Sequence, residues 1–110
     1  MVDAHHYLWD LGCNYYPWLV DKKKNNFFLG DYSALKNNYL PGDYRTDAKN
    51  FNVIATVHIE AGWDRSNQVG ETTWLTKMNA QFDMPNAIAG HVWLAEKNCE
   101  KVLIKYNQHA

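Results

Sequence analysis

Compact apolar runs alternate with amphipathic stretches along the chain. The clearest run is "VIATVHIEA", residues 53–61, where β-branched residues occupy both parities and no polar face appears until His58. That is the pattern of a strand buried on both sides of a parallel sheet. "NAIAGHVWL", 86–94, has the same character and is set off from the preceding segment by Pro85. Val2 to Leu8 reads as another strand. In "QVGETTWLTKMNAQF", 68–82, Leu75, Met78 and Phe82 share a helical face, with Asn67 placed as a cap and Glu71 in the first turn. "NCEKVLIKYNQH", 98–109, starts at Asn98 and repeats apolar positions at Cys99, Val102, Leu103 and Tyr106. "GDYRTDAKNF", 42–51, fits a shorter helix. The predicted order is strand, long connection, helix, strand, helix, strand, helix. Such βα repetition, with crossovers of this length, implies an α/β fold with parallel strands.

The long connection, from Trp9 to about Gly42, sets the aromatics of "YYPWL", "NNFFLGDY" and "NNYLPGDY" among Pro, Gly and Asn turn signals. A connection this long inside one domain is expected to be a packed loop that covers a site or closes one end of the sheet. With 110 residues, 46% apolar and 21% charged, the composition is that of one folded globular domain. The net charge of -1 and the shortness of the Lys22-Lys23-Lys24 run argue against a nucleic-acid partner. No apolar stretch approaches about 18 residues, and the N-terminus lacks a basic region followed by an apolar core, so a cytoplasmic protein without a membrane partner is expected. Cys13 and Cys99 have no metal-type spacing and are read as two reduced thiols, Cys99 as a small core residue.

Several short segments stand out along the chain: "VDAHHYLWD" at 2–10, "YPWL" at 16–19, "DY" at 31–32 and "LPGDYR" at 40–45, then "VHIEAGW" at 57–63, "ETTWL" at 71–75 and "PNAIAGHVWLA" at 85–95. Together they span nearly the whole chain. The series resembles the N-terminal part of the amidohydrolase-related family of metal-dependent hydrolases, in the branch with sugar-lactone and dicarboxylate-lactone hydrolases. The resemblance implies a (β/α)8 TIM barrel with its active site at the C-terminal ends of the strands, a fold that takes roughly 250 residues. Residues 1–110 then form a single partial-barrel domain of about three βα units, with the aromatic loop at about 9–42. An open parallel sheet leaves unpaired edges and an uncovered face, so either a homo-oligomer or a piece of a longer enzyme is expected.

In that family the first strand carries His-x-His, because side chains two apart on a strand share a face and grip one cation. Neutral imidazoles suit zinc-like ions. The two positions here are His5 and Tyr7, so the resemblance implies His5 as ligand of a divalent metal such as zinc, with Tyr7 replacing the second His. A phenol is a reluctant ligand at neutral pH. His6 points to the opposite face and reads as a hydrogen-bonded histidine under the helices.

His58 and Glu60 share parity with Thr56 near the end of the second strand. They are the candidate catalytic acid/base couple, or else a structural pair in which Glu60 satisfies amides of "EAGW". Trp18, Tyr32 and Trp63 are the candidate substrate contacts, whereas His91 and Trp93 read as packing residues. The family's later ligands, a His and an Asp that water attack requires, have no counterparts in these 110 residues, so the chain alone is expected to be inactive. Ser33 and Ser66 sit in no nucleophile elbow, Cys13 has no assignable base, and no phosphate-binding glycine loop occurs. The leading expectation is a hydrolase that opens a lactone or other cyclic ester or amide. The alternative is a non-catalytic remnant or small-ligand binding module that homo-oligomerises through its exposed sheet.

Overall fold

Strands β1 (Val2–His6), β2 (Ala55–Ile59) and β3 (Ala87–Ala89) pair in parallel, in the order in which they occur along the chain. The computed structural model describes residues 1–22 and 30–109. Lys23, Lys24 and the 25–29 part of the aromatic loop lie outside the described residues. Among the described residues, helices α1 (Pro17–Val20) and α2 (Pro41–Asp47) lie between β1 and β2, α3 (Gly70–Phe82) lies between β2 and β3, and α4 (Cys99–Asn107) follows β3. The fold is therefore mixed α/β around a three-stranded parallel sheet. Among the described residues, no helix is long and apolar enough to cross a membrane.

The helices begin where local chemistry permits. Pro41 opens α2 with a preset φ, and Asp43 Oδ2 accepts a hydrogen bond from Leu40 N at 2.8 Å. The helix expected from residue 68 starts at Gly70, because Asp64 rather than Asn67 caps the preceding turn, accepting from Ser66 N at 2.9 Å. It ends at Asp83, whose left-handed φ of 56° closes the last turn. In α4 only Val102 is buried; Leu103, expected in the core, is 48% exposed.

One face of the sheet carries the helix layer. Leu8, Tyr44 of α2, Leu75 of α3 and Met84 form one cluster, with Ile88 of β3 packed against it. In β2, Thr56 and His58 point into this layer and are buried, while Ala55, Val57 and Ile59 on the other face stay half-buried. Ala87 and Ala89, which pair with Val57 and Ile59, are exposed. At the C-terminal end, Trp9, Tyr16, Leu19 and Ala61 build a second cluster that draws in Trp18 and Trp63. Trp9 and Tyr39 exchange backbone hydrogen bonds of 3.0 Å. The aromatic loop is thus packed against the strand ends.

β3 is shorter than the apolar run that encodes it. At Gly90 a Cβ atom would lie 2.8 Å from the ring of Tyr106. The Tyr106 hydroxyl also lies 2.7 Å from the carbonyls of both Gln68 and His91. α4 therefore crowds the backbone just where the strand would continue.

β1 contains an irregularity with large consequences. Asp3 pairs with Thr56 and His6 with His58, so Ala4 and His5 together oppose Val57 as a bulge. Asp3 and His6 consequently share the helix face although they are three residues apart. Tyr44 donates its hydroxyl proton to Asp3 Oδ2 at 2.7 Å, and the His6 ring lies 4.9 Å from that of Tyr44 and 5.6 Å from that of His58. His6 was expected to be hydrogen-bonded there. Instead both its ring nitrogens, and Nδ1 of His58, lack a partner among the described residues; His58 Nε2 lies 3.3 Å from Leu8 O.

Burial pushes the basicity of both imidazoles down, His58 to about 4. Above the unfolded value of about 6.5 both states are neutral and nothing is lost. As pH falls below it, the unfolded chain takes up a proton that the folded chain refuses, so His58 costs stability progressively down to about pH 4, by on the order of 3 kcal/mol. We expect the stability difference between wild type and His58→Leu, from urea denaturation between pH 7 and 4, to move by this amount in favour of the variant. A pH-independent difference would show that His58 is not held neutral in the core.

Candidate functional site

Functional groups gather where β2 and β3 end. Glu60 N donates to Ala89 O at 3.0 Å, and the chain then turns at Gly62, whose φ is 73°. A side chain at 62 would meet the Trp18 indole at 2.8 Å, so glycine serves both the turn and the close approach. Two carboxylates hold this turn: Glu60 Oε2 accepts from Gly62 N at 3.0 Å, and Glu71 Oε1 accepts from Ala61 N at 2.9 Å. Glu71 belongs to the first turn of α3 and is only 4% exposed. Burial raises its carboxyl to about 7 against the hydrogen bond from Ala61, and the charge of Glu60 pushes the same way.

His91 follows β3 and stands beside Glu60, with Nδ1 3.5 Å from Glu60 Oε1. The Trp93 ring lies 4.7 Å from that of His91, and the Arg65 guanidinium sits 3.9 Å from the centre of Trp93. Arg65 Nε also reaches Glu96 Oε1 at 2.6 Å, while Gln68 bridges Trp93 N and Glu96 Oε2 at 2.9 and 3.1 Å. Between these groups lies a cleft of about 220 Å³ lined by Glu60, Trp63, Arg65, Glu71, His91 and Trp93, among others. An imidazole backed by a carboxylate is a general base, and a carboxyl that changes charge near neutrality is a proton reservoir.

The residues expected from the sequence are only partly brought together. Glu60 and Trp63 line the cleft. Trp18 and Tyr32 pack on each other at 5.7 Å, with Trp18 donating to Ala61 O at 2.7 Å and Tyr32 to Trp18 O at 2.9 Å; both support the turn from beneath. The expected couple of His58 with Glu60 is not formed. His58 is fully buried against His6 and Leu8 on the helix side, whereas Glu60 has left the strand and faces His91. His91 and Glu71 were read as packing and helix-start residues. A usable signal was present: His91 and Glu60 each follow the apolar centre of their own strand, and sequential parallel pairing makes those strands neighbours.

His5 and Tyr7 stand apart from this cleft. Both are exposed, and His5 Nε2 lies 2.6 Å from the Tyr7 hydroxyl. Tyr7 follows directly on the end of β1, and its phenol is the partner of the His5 ring. One imidazole tied to a phenol does not fit a resident divalent metal. Among the described residues no group of three or more His, Cys, Asp or Glu side chains is placed to hold an ion.

No protein-family model matches the chain, and no solved structure matches it. It is 39% identical over all 110 residues to Uncharacterized protein y4mH of Sinorhizobium fredii (strain NBRC 101917 / NGR234). The chain spans 37% of the length of that curated relative.

Replacing Tyr7 with His should set a second imidazole beside that of His5. Tyr7→His is expected to bind Co(II) at least about tenfold more tightly than wild type, followed by visible absorption and calorimetry. Equal affinities would mean that the two side chains do not converge.

Proposed function

We propose that the chain contributes three βα units of an amidohydrolase-related (β/α)8 barrel and opens a lactone or other cyclic ester or amide by water attack. The observation that carries this reading is the His91–Glu60 couple at the C-terminal ends of adjacent parallel strands, beside a cleft walled by Trp63 and Trp93. Barrel enzymes keep their chemistry at that end. The sequential order β1-β2-β3 is compatible with three neighbouring strands of a barrel, as it is with one half of a doubly wound sheet. The greater length of the rhizobial relative also accords with a complete barrel.

In this mechanism His91 takes a proton from water while Glu60 orients the ring and stabilises the imidazolium. The hydroxide adds to the ring carbonyl. The tetrahedral intermediate then expels the ring oxygen or nitrogen, which receives the proton from His91, leaving a hydroxy acid or amino acid. No step passes through a metal. The couple lies within these 110 residues, so the step does not wait on an Asp supplied from elsewhere, as the family pattern suggested.

A second reading is favoured by the uncovered sheet face, where Ala87 and Ala89 are exposed beside half-buried Val57 and Ile59. On that reading the chain is a non-catalytic module that homo-oligomerises through the sheet. Hydrolysis of a panel of γ- and δ-lactones and the matching lactams, followed by release of the hydroxy or amino acid, separates the two when molar mass is measured on the same sample. The hydrolase reading expects turnover that His91→Asn lowers by about 100-fold or more. A discrete oligomer without lactone or lactam hydrolysis would overturn it in favour of the second.

A further inference from the structure

We propose that the cleft at the ends of β2 and β3 seats a cationic ligand, a small ring or chain bearing a protonated amine or guanidinium, with Glu71 as its carboxylate partner and the Trp63 and Trp93 indoles as its walls. This deepens the hydrolase reading by giving the substrate a charge, but it rests on binding and not on turnover.

The argument begins with the charges that line the cleft. Three are acidic, Glu60, Asp64 and Glu71, and the one Arg among them is Arg65. Arg65 is already engaged by Glu96 at 2.6 Å and by the Trp93 face at 3.9 Å. Glu60 has His91 at 3.5 Å, and Asp64 Oδ1 is held by Ser66 N and Oγ at 2.9 and 2.8 Å. Glu71 is different. It is 4% exposed and takes part in neither of the ion pairs formed among the described residues. Its hydrogen bond from Ala61 N uses one of its two oxygens.

A buried carboxylate without a counter-charge is costly, and such groups are paired or kept protonated. Here the chain keeps the proton, since burial holds the Glu71 carboxyl up near 7. A ligand cation entering the cleft supplies the missing partner. The Trp63 wall suits it as well, because indole rings attract cations, and the Arg65 guanidinium on Trp93 is an instance of that attraction at the same cleft. An anionic ligand meets the reverse situation, three carboxylates and no disengaged cation, so the cleft discriminates by the sign of the charge.

Linkage adds an independent signature. A bound cation favours the ionised form of Glu71, so binding tightens as pH rises through neutrality and releases a proton. The other titratable groups around Glu71 are Glu60 with His91 behind it, Asp64, and the phenols of Tyr16 and Tyr106, both raised and therefore protonated throughout this range.

The test is a tryptophan-fluorescence titration of the purified chain with three matched probes: piperidinium, cyclohexanol and cyclohexanecarboxylate. Near pH 8 we expect saturable binding of piperidinium, about tenfold tighter than cyclohexanol, with the carboxylate weakest, and a weaker piperidinium complex near pH 6. Glu71→Gln keeps an acceptor for Ala61 N and should erase both the preference and the pH dependence while retaining the wild-type circular dichroism spectrum. Equal affinity for the three probes, tightest binding of the carboxylate, absence of binding, or an unchanged preference in Glu71→Gln would each overturn the proposal. Cation preference without lactone or lactam hydrolysis would leave it standing and remove the hydrolase reading; hydrolysis without the preference would do the opposite.

Discussion

The hydrogen bond from Ala61 N to Glu71 Oε1 fixes the geometry on which the rest of the C-terminal face depends. It ties the end of β2 to the first turn of α3. With that tie in place, Gly62 takes its positive φ, the Trp18 indole closes under it, and Glu60 is turned out of the strand toward His91. The bond costs the burial of a carboxyl group, offset in part by the favourable place of an acid at a helix N-terminus. One buried Glu therefore both builds the turn and leaves a carboxyl group without a counter-charge at the cleft.

The second constraint is the bulge in β1. Strand side chains alternate, so one extra residue exchanges the faces of everything beyond it. Placing Ala4 and His5 together opposite Val57 keeps His5 exposed and sends His6 under the helices, where it meets His58. Without the bulge, His5 would stand opposite His58 in the core and His6 would stand opposite Ile59. The choice of which histidine meets solvent rests on this single irregularity.

These particulars show what the chain of letters made legible. The α/β alternation was readable because it depends on local periodicity: the doubly apolar run at 53–61 gives the middle strand, although its second face, expected to be buried, is only half-buried, and Leu75 of α3 lies in the core. Contacts between distant segments were not readable. The shortening of β3 requires Tyr106 to press on Gly90, and the partner of Glu60 requires knowing that β3 lies next to β2. Parity alone matched Glu60 with His58 because it assumes that a strand continues straight, and the turn at "EAGW" ends that assumption at Ala61.

Glu71 and His58 also act on each other's visibility. Both are buried ionisable groups held in their neutral forms, but neutrality means a retained proton for the acid and a refused one for the base. Lowering the pH from about 7 toward 4 therefore relieves the penalty at Glu71 while imposing one at His58, over nearly the same interval. The shifts are of similar size and opposite sign, so their contributions to the pH dependence of stability largely cancel in the intact chain. The pH dependence that His58 imposes is therefore opposed by Glu71, and removing either one exposes the other. The cancellation has a functional side as well: a ligand cation that ionises Glu71 relieves the first penalty without touching the second, so cation binding itself would leave the pH dependence of His58 unopposed.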